Sequence, residues 1–423
     1  MWPLLAVPSA GALALLTSRR LYCSWGFGAG LILLLFLASA IAVQPMVGDF
    51  GAFNIYPEDA IFAALFIAAA MRLSVGRKLL AGHLPWLLFG IVTAASFVIG
   101  SEFYGLKPAG VEYRSVFYVV SGGLYCGSFR LRSNGLKQFV SMWLWTAGAL
   151  LILACFRWWA VLLNLSISSQ WADVGGSNPI RVLNANQALF LSQAFLITLY
   201  LYRHSAARFP LACFAGALLL TVILLQHRSV WLVTAASCGV LAWREKAWKK
   251  LIAAVLLAAL IGMPVYFLLS NYAGAVSDSL RTSAEEPFDS SRSTIAWRTE
   301  LWQQYIFEFV ALSGAQSWFG TGFGNPATYE VDGSSVSNAP HNYFVYALNR
   351  AGILGLITLV LCYTMLLYRL RGTSGSWDYL GLFLTITVSQ LIFFMAYAPS
   401  FEQGLVSGAI LGLIPQPATG EAA

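Results

Sequence analysis

Residues 251–269 read LIAAVLLAALIGMPVYFLL, with no charge and none of the in-and-out alternation of a barrel strand. A run of this kind is about as long as the ~20 apolar residues a helix needs to cross the ~30 Å hydrocarbon core of a bilayer. Working outward from it, comparable runs lie near residues 2–17, 22–44, 57–71, 83–100, 111–129, 138–156, 182–202, 209–226, 228–243, 249–270, 342–368, 378–397 and 402–415. The 423-residue chain is 58% hydrophobic and 10% charged, with a mean hydropathy of +0.70. No water-soluble domain of this size carries such a composition on its surface, which excludes a cytosolic enzyme, a secreted disulfide scaffold and a disordered chain. The expected architecture is an all-α polytopic membrane protein of 12 or 13 transmembrane helices. The uncertainty in that count comes from the short segments 2–17 and 402–415, which glycine and proline interrupt. The stretch before Arg19 has no basic n-region, so it reads as a span and not as a cleaved signal peptide.

Charge sorts the connections into two sets. Arg19/Arg20, Arg72/Arg77/Lys78, Arg130/Arg132/Lys137, Arg203/Arg208, Arg244/Lys246/Lys249/Lys250 and Arg369/Arg371 fall on one side, 16 of the 25 basic residues. By the positive-inside rule that side is cytoplasmic. The other side holds 15 of the 18 acidic residues and nine basic ones. The net +7 therefore reports orientation and not a nucleic-acid footprint. All six cysteines lie in or beside apolar spans, which gives no disulfide framework and no metal-ligand spacing. The chain divides into a transmembrane bundle over 1–270, a large outer loop over 271–340, C-terminal transmembrane helices over 341–415 and a cytoplasmic tail over 416–423.

The long outer loop is patterned. Thr294 to Leu312 carries an apolar helical stripe (Ile295, Leu301/Trp302, Tyr305/Ile306, Phe309) beside a polar face with Arg298, Glu300 and Gln304. A surface helix is expected there, followed by a tight turn at Gly320-Thr321-Gly322-Phe323-Gly324. That glycine cluster follows no strand and opens no helix of a βαβ unit, so it is not a dinucleotide fingerprint. At the end of the loop, His341 follows Pro340 and begins the helix that re-enters the membrane. A helix N-terminus disfavours imidazolium, so His341 is expected to be neutral and available as a base.

His341-Asn342, followed after nine residues by Gly352-Ile353-Leu354-Gly355, resembles the signature of the O-antigen ligase and O-antigen polymerase family, bacterial membrane glycosyltransferases acting on lipid-linked glycans. Leu356 stands where that pattern often has threonine. Gln226-His227-Arg228-Ser229-Val230-Trp231 at the outer start of a span, Arg298-Thr299-Glu300-Leu301-Trp302 in the loop, and Trp318 to Gly324 resemble the same family. The likeness is firm from about residue 180 to 370 and only topological before that.

The resemblance implies a C-type glycosyltransferase-like membrane fold, an undecaprenyl-diphosphate-linked glycan as donor, a glycan acceptor, a site facing the periplasm from the inner membrane, and inversion without a metal or other cofactor. His341, Arg298 and Arg228 are then the expected catalytic residues, with Arg181, Arg114, Arg292, Asn342 and Trp302 binding substrate. Physical chemistry supports these roles independently. Planar guanidinium groups are the best ligands for a diphosphate at headgroup level, and fixed cations favour the departure of a leaving group that gains negative charge. Arg157, beside Trp158 and Trp159, reads as an aromatic-belt anchor. Arg350, about 180° round the helix from His341, reads as a packing or ion-pair residue.

Other membrane glycosyltransferases use a first-loop carboxylate with a divalent metal, and Asp49, Glu58 and Asp59 occupy that loop here. The long outer loop has no acidic pair of recognisable ligand spacing, so the arginine–histidine reading is preferred. The outer side, with nine basic against 15 acidic residues, is a poor match for a phosphate-rich lipid A-core acceptor. That tips the expectation toward polymerase, with ligase as the alternative. A flippase or other transporter is a further alternative, opposed by the clustering of the informative residues at one face.

Overall fold

The computed structural model describes residues 20–41, 48–49, 54–75, 83–131, 133–163, 165, 181–249, 252, 294–326, 329–331, 334–336, 340–372 and 379–413. The opening stretch at 251–269, the segment 2–17 and Arg292 lie outside them, apart from Ile252. The helices are α1 (Trp25–Ile41), α2 (Pro57–Val75), α3 (Leu84–Tyr104), α4 (Leu106–Gly127), α5 (Ser133–Leu162), α6 (Ala185–His204), α7 (Arg208–Leu224), α8 (Arg228–Arg244), α9 (Thr294–Ala311), α10 (Ala315–Phe319), α11 (Tyr343–Gly372), α12 (Leu380–Phe394) and α13 (Gln403–Gly412). Two short antiparallel hairpins, β1 (Gly48–Asp49) with β2 (Asn54–Ile55) and β3 (Tyr329–Val331) with β4 (Ser334–Val336), sit in connections. The protein is an all-α polytopic membrane protein. By length and composition α3, α5 and α11 can each cross a membrane, and α1, α7, α12 and α13 are shorter apolar helices.

Burial explains the helices that carry more polar residues. α4 is buried on every side from Tyr118 to Gly127, and α6 over nearly all of Ala185 to Tyr200, so both run through the interior of the bundle. α6 is opened by a reciprocal capping box between Asn184 and Gln187. α13 lies flat against α4. A methyl group on Gly404, Gly408 or Gly412 would meet the carbonyl oxygens of Val119, Gly123 and Phe129 at 2.4, 2.5 and 2.6 Å, so this stripe of small residues is what lets the two backbones touch. At the basic end, Arg72 ties three elements together. It bonds to Ser128 and to the Leu21 and Tyr22 carbonyls, and its guanidinium lies 3.9 Å from the Phe129 ring centroid.

α11 is broken at Gly352 (φ 68°, ψ −166°). The break leaves the Asn349 and Arg350 carbonyls without their i+4 amide donors. The 320–324 segment supplies the replacements. Thr321 N–H donates to the Asn349 carbonyl at 2.8 Å, Gly322 N–H donates to that of Arg350 at 3.2 Å, and Ser96 Oγ donates to the same oxygen. Residues 320–324 are thus a buried strap threaded between α3, α4 and α11, more than the surface turn expected from sequence. A methyl on Gly352 would sit 2.3 Å from the Trp318 carbonyl oxygen, and one on Gly322 would sit 2.7 Å from the Gly100 backbone.

Arg157 corrects the sequence expectation. It is 3% exposed and donates to the carbonyls of Val182 at 2.7 Å and Ala40, so it joins α1, α5 and the entry to α6 inside the bundle. Its tryptophan neighbours had suggested a headgroup anchor, but a guanidinium with two backbone carbonyl partners can be buried.

Candidate active site at the start of helices α8 and α11

Two sharp reversals build the site. Gln226 takes a left-handed conformation (φ 55°) between α7 and α8, which places His227 and Arg228 at the head of α8. His227 Nε2 lies 2.8 Å from the Leu183 carbonyl oxygen, and Arg181 Nη2 donates to the Gln226 carbonyl at 3.4 Å. The approach to α6 and the head of α8 are therefore one unit carrying two arginines. The N-cap residue His227 makes no side-chain cap hydrogen bond, so the first amides of α8 add their positive end to the two guanidiniums.

The second reversal is at His341, also left-handed (φ 48°). Asn342 caps α11, its Oδ1 accepting from the amides of Phe344 at 3.0 Å and Val345 at 3.2 Å. That oxygen is committed to the helix, which leaves Asn342 its amide nitrogen for any substrate contact. α9 is pinned alongside, since Trp302 Nε1 donates to the Pro340 carbonyl at 2.5 Å. The His341 ring lies between Trp297, 6.1 Å away, and Tyr397, which it meets edge-on at 5.8 Å.

The two halves face one another. Arg228 is within electrostatic reach of both Arg181 and Arg298, and Arg298 acts on His341. Burial first, and the Arg298 charge second, hold the His341 imidazole below its ordinary value of 6.5. His227 is pushed down to about 4, chiefly by burial and also by Arg181. Both rings are neutral at pH 7, as expected for His341. Four of the residues singled out in the sequence are thus linked pairwise, Arg181 to Arg228, Arg228 to Arg298 and Arg298 to His341, and Trp302 braces the turn at Pro340. Arg114 is engaged by Asp59 at 2.7 Å and by the Tyr56 ring. Arg292 lies outside the described residues.

Asp59 is held by Arg114 and by the Tyr118 hydroxyl, while Glu58 is 3% exposed. Among the described residues no group of three His, Cys, Asp or Glu side chains could hold a metal ion. Arg350 behaves as expected of an ion-pair residue. Its Nε lies 2.7 Å from Glu112 Oε1, and its other nitrogens reach Asn349 Oδ1, Thr321 Oγ1 and the Asn325 carbonyl. Glu308 on α9 accepts from Asn325, Asn349 and Tyr329. Two carboxylates thereby bolt α9 and the strap to α4 and α11. Sequence reasoning did not find Glu112, Glu308 or Tyr397, which carry no motif and become recognisable only once distant helices meet.

Residues 213–360 match the family model described as O-antigen ligase. This segment, about a third of the chain, is thus similar to the O-antigen ligase family. It opens within α7 and closes within α11, so the matched segment contains Arg228, Arg298, the strap, His341 and the Gly352 break, while Arg181 and Tyr397 come from outside it. No curated protein matches the chain.

Proposed function

We propose that the protein is an inverting, metal-independent membrane glycosyltransferase that moves a glycan from an undecaprenyl-diphosphate carrier to an acceptor sugar hydroxyl at the periplasmic face of the inner membrane. The observation that carries this reading is the electrostatic chain from Arg181 to Arg228, from Arg228 to Arg298 and from Arg298 to a neutral His341, three of these four lying in the segment that matches the O-antigen ligase family model. The acceptor oxygen attacks the anomeric carbon, the bond from that carbon to the diphosphate oxygen breaks, and the hydroxyl proton passes to His341. The guanidiniums stabilise the charge that accumulates on the departing diphosphate more than they stabilise the bound donor.

Of the two family reactions, chain extension onto a second lipid-linked repeat is preferred, because the outer side carries nine basic against 15 acidic residues. Ligation to lipid A-core is the second reading, favoured by the description of the matching family model. Incubating purified protein with a polyprenyl-diphosphate glycan and each acceptor in turn distinguishes them by product. Absence of product with both acceptors refutes glycan transfer, and loss of turnover in a chelator refutes metal independence.

A further inference from the structure

At the end of α8 opposite Arg228, a cavity of about 570 Å³ is lined by Arg203, Trp243, Lys246, Ala247, Trp248 and Lys249. α8 has 17 residues, so this cavity is about 25 Å from Arg228 along the helix axis. That distance approaches the thickness of a hydrocarbon core, so the two sites sit at opposite headgroup levels. The chain turns back at Lys246 (φ 51°), and the Trp248 indole folds onto α8 beside Gly239. Trp243 and Trp248 remain 61% and 46% exposed.

The charges here are unequally satisfied. Glu245 is shared by Arg203 at 3.2 Å and His204 at 3.4 Å. Lys246 and Lys249 are exposed and form no ion pair among the described residues. Two exposed indoles beside two uncommitted ammonium groups, on the side that the basic loops assign to the cytoplasm, have the chemistry of a site for a phosphate headgroup whose acyl chains lie along tryptophan.

We propose that this cavity binds an anionic phospholipid of the cytoplasmic leaflet, with Lys246 and Lys249 on its phosphate and Trp243 and Trp248 against its glycerol and upper chains. A soluble anion would use the lysines but would leave the indoles idle. The site is separate from glycan transfer and stands whether or not that reading holds.

The test is native mass spectrometry of the full chain in a neutral detergent, titrated with dioleoyl phosphatidylglycerol and with dioleoyl phosphatidylcholine. Preferential retention of phosphatidylglycerol is expected. Each lysine contributes about fivefold, so Lys246→Gln with Lys249→Gln should weaken retention about 25-fold. Arg130→Gln with Lys137→Gln removes the same charge at the same membrane face and should leave retention unchanged. Equal loss in both variants, or equal retention of the two lipids by the wild type, overturns the proposal. Displacement of phosphatidylglycerol by millimolar inorganic phosphate also overturns it, in favour of a soluble phosphate. Lys249→Gln alone changes only an exposed side chain, and its loss of about fivefold must appear in protein that elutes and melts as wild type.

Discussion

The Arg298 guanidinium lies over the ring of Tyr397, 5.2 Å from its centroid, and donates from Nη2 to the phenol oxygen at 3.4 Å. The same ring meets His341 edge-on, so one side chain from the end of α12 fixes both the cation and the imidazole. Tyr397→Phe keeps the ring and removes the hydroxyl. Tyr397→Ala also removes the cation–π contact, worth about 1–2 kcal/mol when partly desolvated. In the transfer assay kcat should fall a few-fold for the first and about 5–30-fold for the second. Full activity in the alanine variant would show that Arg298 holds its place without Tyr397.

His341 is held below 6.5 by burial and by Arg298, so its neutral form persists into mild acid. The acidic limb of kcat/KM should therefore fall below pH 6.5. Arg298→Gln removes one of the two causes, so the limb should move to higher pH in whatever activity remains. His341→Ala should cost about 100-fold or more at all pH values. A limb that stays in place in Arg298→Gln would mean that another group is titrating.

His227 titrates at about 4 when folded and near 6.5 when unfolded. Between those values the unfolded chain binds the extra proton, so stability is complete above about 6.5, declines as pH falls through this window and levels off below about 4. The loss is of order 3 kcal/mol at most. His227→Gln should flatten that part of the profile, measured as thermal midpoint against pH in detergent.

Gly352 is replaceable neither by conformation nor by space. Gly352→Ala places a methyl 2.3 Å from a carbonyl oxygen at positive φ, and it should destabilise by several kcal/mol, about as an overpacked and strained core site does. Gly148 and Gly216, both helical with nothing within 4 Å of a built methyl, should instead gain about 0.5–1 kcal/mol as alanine. Thermal melts of the three variants give the comparison.

The Arg350–Glu112 pair is largely enclosed, with side chains 6% and 22% exposed. Glu112→Gln leaves the guanidinium without its counter-charge and should cost about 3–5 kcal/mol. Arg350→Met combined with Glu112→Gln should recover part of that, because no lone buried charge remains. The double-mutant cycle read by thermal midpoint measures the coupling.

Among the described residues the bundle was legible because apolar runs are nearly the length of their helices: 57–71 became Pro57–Val75, 228–243 became Arg228–Arg244, and the stripe at 294–312 became Thr294–Ala311. The grouping of Arg228, Arg298 and His341 came from the family resemblance, and the electrostatic reach of Arg298 to both of the others agrees with it. Asn342 was read as a substrate residue, whereas its side-chain oxygen serves the helix cap, a role that Asn followed by an apolar run signals equally well. Partners drawn from remote helices were not legible. Nothing in the local sequence of Tyr397, Glu112 or Arg157 says which carbonyl or cation, from 25 to 238 positions away, will meet it.

The break in α11 has a mechanical consequence. From Ile353 to Gly372 the helix is about 30 Å long, comparable to the thickness of a hydrocarbon core. A bilayer that thins or thickens is accommodated by tilt of this long arm. The short arm before the break, lashed to α3 and α4 through the glycine strap, is held by those bonds, so tilt of the long arm need not turn the His341 end of the helix.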